Sequence, residues 1–171
     1  PEKARQLLKE YGKPVSFKLT VTATPRGRAN GQIFQEYWRA VGVNAELNQI
    51  DQTTLVTKAF TRDFDITPWR IIDLADPDPQ MYANFRTGSP VNLASYSDPE
   101  LDNMLDDARG SADQAKRSEL YCRIAQRINE HVQWFWTLEN LYFSIAKPAL
   151  KGIPKQRSDE IDLLSLIHIS E

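Results

Sequence analysis

The chain has 171 residues, 41% hydrophobic and 26% charged, which suits one globular domain, or one lobe of something larger, with enough apolar material for a core. A net charge of −2 supplies no basic field for nucleic acid, and no apolar run is long enough for a membrane-crossing helix. A single cysteine, Cys122, excludes an internal disulfide and a cysteine metal cage, and two distant histidines, His131 and His168, argue against a histidine site.

The stretch PEKARQLLKEYG shows no basic-then-apolar signal pattern. It begins inside a predicted helix, with Leu7, Leu8 and Tyr11 on one face and Gly12 as a stop, as expected of a fragment. VSFKLTVTA alternates over residues 15–23, with Val15, Phe17, Leu19, Val21 and Ala23 on one side, and predicts a strand broken by Pro25 and Gly27. Ile33, Phe34, Tyr37, Trp38 and Val41 then recur at helical spacing up to a Gly42 cap, and VNAELNQI (43–50) predicts a second strand. Strand, helix, strand is a βαβ unit with parallel strands.

Asp51 is positioned to cap a short helix carrying Leu55, Val56, Ala59 and Phe60. FDITPW (64–69) predicts a third strand, short or near an edge because of Pro68. Residues 70–97 have no clear periodicity; three Asp, three Pro and the embedded Met81, Tyr82, Phe85 and Tyr96 favour an ordered, functional loop. Asp98-Pro99 opens a helix with Leu101, Met104, Leu105 and Ala108 inward. Ser111 with Gln114 predicts a capping box for a helix burying Leu120, Tyr121, Ile124, Ala125 and Ile128, with Cys122 as a small, partly buried residue. Residues 134–146 (WFWTLENLYFSIA) are aromatic and β-prone and predict one or two strands. The expected fold class is α/β (mixed α+β), a mixed sheet with flanking helices.

The ending IDLLSLIHISE lacks caps and turn signals, and LSLIHISE resembles translated sequencing-adapter read-through. Residues 156–171 are therefore set apart as a tail, non-native from about 161; a genuine terminal helix or strand is the alternative.

The order FDI…W, DPDPQMYANF, NLASYSDPELDNMLDDAR, KRSELYCRIAQRINEHV resembles the C-terminal lobe of family 5 extracytoplasmic solute-binding proteins, the dipeptide-, oligopeptide- and nickel-binding components of ABC importers. The likeness runs over about residues 1–155. It departs at His131-Val132-Gln133, where a proline is usual, and in the interval from Trp69 to Asp73, one residue longer than in oligopeptide binders. The resemblance implies one lobe of a two-lobed, hinge-closing periplasmic or extracytoplasmic receptor, with 134–155 returning to the missing N-terminal lobe. It implies peptide or related solute as ligand, membrane permease subunits as partners, no cofactor and no enzymatic activity. A strand-end carboxylate, Asp73, would meet the ligand's α-ammonium beside a Trp69 wall that excludes water. Arg70 is placed to meet a ligand carboxylate, and Tyr82 to line the pocket or shape the loop.

Other readings stay open in the residues themselves. Trp69 and Asp73 also fit a core indole and a turn-capping aspartate, and Arg70 a local ion pair. The Asp76/Asp78 alternation suggests calcium, but Pro77 and Pro79 fix φ and no loop glycine or downstream bidentate glutamate follows, so no metal is expected. Asp76 is expected instead to accept backbone N–H bonds. Paired carboxylates also fit a hydrolase, although no nucleophile–base–orienter set accompanies them. A third reading is a structural lobe that binds nothing alone. Trp134, Phe135 and Trp136 read as packing, and Asn92 as a loop-forming or pocket residue.

Overall fold

A computed structural model describes residues 1–71, 76–137 and 147. The fold is mixed α/β, and the chain divides into two compact units, Pro1–Arg70 and Ile71–Glu171.

In the first unit, α1 (Glu2–Tyr11) ends at Gly12, whose φ of 72° is the left-handed conformation that glycine adopts without a Cβ penalty. α1 buries no residue, and Leu7 and Tyr11 stay exposed; the side chain of Arg5 reaches the Ala40 carbonyl at 2.9 Å. β1 (Ser16–Thr22) and β2 (Asn44–Ile50) pair in parallel, from Ser16↔Asn44 to Thr22↔Ile50, as the βαβ pattern requires. The alternation holds through Leu19 and Val21, but Thr20, on the opposite side, is also buried, because this strand is covered on both faces. Its hydroxyl accepts from Asn48 Nδ2 at 3.3 Å.

The crossover helix α2 (Pro25–Arg39) starts eight residues before the Ile33 expected from spacing. Pro25 and Gly27 end the strand but begin the helix: Thr24 caps it, its Oγ1 accepting from Gly27 N at 3.0 Å, and proline occupies the first turn, where no donor is lost. Gly31 is buried, and the position needs glycine because a Cβ there would lie 2.5 Å from Leu47 Cδ1. Phe34 and Trp38 are half-buried, and Trp38 meets Phe17 edge-on at 4.9 Å; Ile33 and Tyr37, expected inside, are exposed. Past the helix, Gly42 takes φ 96° and Val43 N donates back to Trp38 O, the helix-ending geometry expected of that glycine.

α3 (Gln52–Thr61) is capped by Asp51, whose carboxylate accepts from Thr54 N at 2.9 Å, and it buries Leu55 and Ala59. The expected third strand is reduced to one parallel bridge, Leu19↔Ile66, on the side of β1 away from β2. Thr20 N donates to Ile66 O, Asp65 Oδ2 accepts from Lys18 N, and Thr67 Oγ1 donates to Thr20 O. Pro68 has no N–H to continue the ladder, which explains why pairing stops there.

The second unit is helical. α4 (Asp78–Phe85) lies where the sequence suggested only loop, followed by α5 (Pro99–Gly110) and α6 (Gln114–His131). Phe85, Leu101, Met104, Leu105, Ala108, Leu120, Ile124 and Ile128 form its core. Asp98 caps α5 as expected. The cap of α6 is Asp113, not Ser111: the carboxylate accepts from Ala115 N and Lys116 N, while Ser111 Oγ accepts from Asp113 N. An aspartate one residue before the helix has the shorter reach and the charge that favours a helix N-terminus. Ala125 and Cys122 are exposed, contrary to expectation, since the inward stripe of α6 is the narrow set Leu120, Ile124, Ile128. Residues 134–137 are irregular rather than strand; the rest of the expected 134–146 strands, and the tail from 156, lie outside the described residues.

Candidate functional site

The strand-to-loop passage begins with a bridge at Ile66 and breaks at Pro68. Trp69 follows, half-buried in the first unit. Its ring meets that of Phe60 on the last turn of α3 at 6.1 Å and an interplanar angle of 83°, the edge-to-face arrangement aromatic quadrupoles prefer. Arg70 is exposed and closes that unit. Asp73 lies outside the described residues, so the structure neither joins it to Trp69 and Arg70 nor separates it from them.

In the second unit Asp76 and Asp78 are both engaged. Asp76 accepts from Asp78 N at 2.9 Å, the backbone role expected of it, and from Arg117 Nη2 at 2.8 and 2.9 Å. Those bonds, the backbone one foremost, hold its carboxyl below the usual range. Asp78 takes Arg109 Nη2 at 2.9 Å and the Tyr121 hydroxyl at 3.2 Å. Tyr82 donates to Asp106 at 2.9 Å, and the Arg109 guanidinium stacks 3.4 Å from its ring centre. Within this unit, then, hydroxyl and one ring face of Tyr82 are occupied by neighbours. The connection from α4 to α5 is equally tied: Arg86 bridges Asp102 and Asp106, Thr87 N donates to Asp102, and buried Asn92 donates to the Arg86 and Tyr96 carbonyls.

This arrangement bears on the chemistry available. Among the described residues no cluster of three or more His, Cys, Asp or Glu could hold a metal ion. A general acid working near neutrality needs a carboxyl raised in pKa, usually by burial away from cations. The described carboxylates with displaced pKa values are displaced downward, Asp76 and Asp98 among them, by donors already in place. Acids held in this way tie a helix start to its neighbours: Asp76 and Asp78 at α4, Asp98 at α5.

Two features escaped sequence reasoning. Sequence spacing places Phe60 on the core face of α3, yet it remains 47% exposed and contacts Trp69. Its spacing carries the only sequence clue, since it lies one position beyond the buried Ala59. Arg109 and Arg117 are the partners of Asp78 and Asp76 across separations of 31 and 41 residues, which no local pattern reveals.

A family model described as "Bacterial extracellular solute-binding proteins, family 5 Middle" matches residues 1–92, more than half of the chain. Di/tripeptide-binding protein 1 of Pseudomonas aeruginosa is 25% identical over 143 residues, covering 77% of this chain and 26% of that protein. Heme-binding protein A of Haemophilus influenzae is 24% identical over 166 residues, covering 89% of this chain and 30% of that protein. The solved structure of Burkholderia pseudomallei OppA superposes with a TM-score of 0.66 at 22% identity, over 75% of this chain and 26% of that one, a likeness of fold. The chain therefore spans under a third of the length of these relatives, which are named as binding proteins rather than enzymes. The chain belongs to the bacterial extracellular solute-binding proteins of family 5.

Proposed function

We propose that this chain is most of the C-terminal lobe of an extracytoplasmic receptor that captures peptides between two lobes and delivers them to the membrane permease of an ABC importer. Residues 134–155 then carry the chain back toward the other lobe. The family match over residues 1–92 carries this reading, and relatives named for di- and tripeptides support peptide as the cargo. The local arrangement agrees with it. A single bridge at Ile66 leads into a half-buried indole, the next residues include Arg70 and Asp73, and the acids that follow are locked onto arginines.

In this reading Asp73 accepts the peptide α-ammonium, Trp69 shields the pair from water, and Arg70 faces a carboxylate. Tyr82 serves the loop rather than the ligand, its hydroxyl being held by Asp106. Binding mainly through backbone and termini gives affinity with tolerance of side chains. The Asp76 and Asp78 clamps fix the start of α4 onto α6 and α5.

The test is native mass spectrometry of the full-length parent, purified without added ligand, followed by titration of Asp73→Asn. A ladder of masses spaced by amino-acid residues is expected. Removing one member of a desolvated charge pair is expected to cost about 2 kcal/mol or more, roughly 30-fold in Kd. A single co-purifying mass that is not a peptide, such as a tetrapyrrole, would keep the family and overturn the cargo. Turnover of any bound compound that Asp73→Asn abolishes would overturn the binding role in favour of a hydrolase.

A further inference from the structure

Phe60 is one of several large apolar side chains left exposed among the described residues, and it is held in an aromatic pair. α3 turns Leu55 and Ala59 inward, four residues apart, and Phe60 follows one position later, about 100° round the helix. It is thereby carried off the buried stripe and stays 47% exposed. Its position is nevertheless fixed. The last turn of α3 is closed by Arg62 in the left-handed conformation, whose N–H bonds to the Ala59 carbonyl, and Lys58 pairs with Asp63 just beyond it. Among the described residues its aromatic partner is Trp69, set nearly at right angles to it. Two rings meeting at 83°, one half-buried and one half-exposed, make a rigid apolar corner with an open side. Edge-to-face contact leaves part of each ring uncovered, and that uncovered surface gains from burial against another apolar group.

We propose that Phe60 is a specificity-determining residue of the receptor: with Trp69 it forms a corner that receives an apolar side chain of the bound peptide. This rests on the reading of Trp69 as a wall of the solute site, and it adds a selection that backbone recognition alone lacks. The occupant is an aliphatic or aromatic peptide side chain, because the corner offers two π surfaces and the position of Trp69, one residue before Arg70, places it within a few residues of the groups proposed for the peptide termini. An apolar subsite of this size discriminates a larger side chain from a methyl group by about tenfold or more.

The experiment uses the full-length protein and calorimetric titration with Ala-Ala-Ala and its three single-leucine variants. The readout is the ratio of Kd for Ala-Ala-Ala to that for the tightest leucine peptide. The wild type is expected to favour leucine at one position by about tenfold, Phe60→Ala to abolish most of that preference, and Phe60→Tyr to restore it. A purely structural role for Phe60 would weaken all four peptides alike and leave the ratio unchanged; that result overturns the proposal, as does a wild type without leucine preference. Asp73→Asn, titrated in parallel, separates the two readings. Loss of affinity for all four peptides in Asp73→Asn, with an unchanged ratio in Phe60→Ala, removes the corner and keeps the receptor site. Unaltered affinity in Asp73→Asn with a collapsed ratio in Phe60→Ala keeps the corner and removes the ammonium site.

Discussion

Replacing Asp98 by asparagine removes one negative charge while leaving a competent helix cap, and so separates two roles that the structure merges in one side chain. Asp98 is 5% exposed; its Oδ1 accepts from Glu100 N and Leu101 N at the start of α5, and its Oδ2 accepts Arg127 Nε from α6 at 2.6 Å. Asparagine keeps the cap, because its carbonyl oxygen can hold the same two N–H groups. It also turns an NH2 toward the guanidinium, donor against donor. Breaking a fully buried pair costs about 3–5 kcal/mol, but Arg127 is 22% exposed and keeps Glu100 Oε2 at 2.6 Å, so we expect about 2 kcal/mol. Asp98→Ala loses the cap as well, for about 3 kcal/mol in all.

Hydrogen exchange of residues 99–110 and 114–131 in the full-length protein reads this directly, since both helices share one core; Asp98→Asn should raise local opening about 30-fold. The hydrogen bond from Arg127 holds the Asp98 carboxyl below its usual value. A lowered folded pKa means stability that is present above the unfolded value of about 3.9 and lost as pH falls through the folded value. The gap between wild type and Asp98→Asn should therefore be full at pH 7 and shrink below about pH 4. A gap under about 0.5 kcal/mol at pH 7, or one that persists undiminished at the acid end, would refute the assignment of the charge pair.

Other perturbations test other joints. Leu105→Ala empties a fully buried position in the helical core and should cost about 2–5 kcal/mol in urea unfolding, with little effect if that core were loosely packed. Gly27→Ala places a Cβ 2.3 Å from the Thr22 carbonyl oxygen, so the start of α2 must shift. A loss of about 1–3 kcal/mol is expected despite alanine's better helix propensity, and a net gain in melting temperature would contradict the geometry. Arg117→Leu frees Asp76 from its side-chain partner while the Asp78 N–H bond remains. In the full-length protein it should weaken peptide binding by less than Asp73→Asn does, and an equal loss would make the clamp a direct contact.

Local chemistry determined much of this protein from sequence alone. The alternation of residues 15–23, the caps at Asp51 and Asp98, and the inward stripe Leu101, Met104, Leu105, Ala108 were legible because each depends on neighbours within four residues. The run of linked motifs also carried the family. α4 was not legible: it has no side-chain cap, begins among prolines and buries only Asn84 and Phe85. What holds it lies elsewhere in the chain, in Arg109 on Asp78 and Asp106 on Tyr82, 24 to 31 residues away. The same distinction applies to the candidate site. Trp69 could be picked out by its place after a β-branched run, whereas its contact with Phe60 arises only once α3 is capped and turned and the chain past the Ile66 bridge returns to it. Sequence specifies each helix and strand through contacts along the chain. Which exposed ring faces which, and which arginine holds which acid, is set by packing between elements, where the free energy belongs to pairs that no sequence window contains.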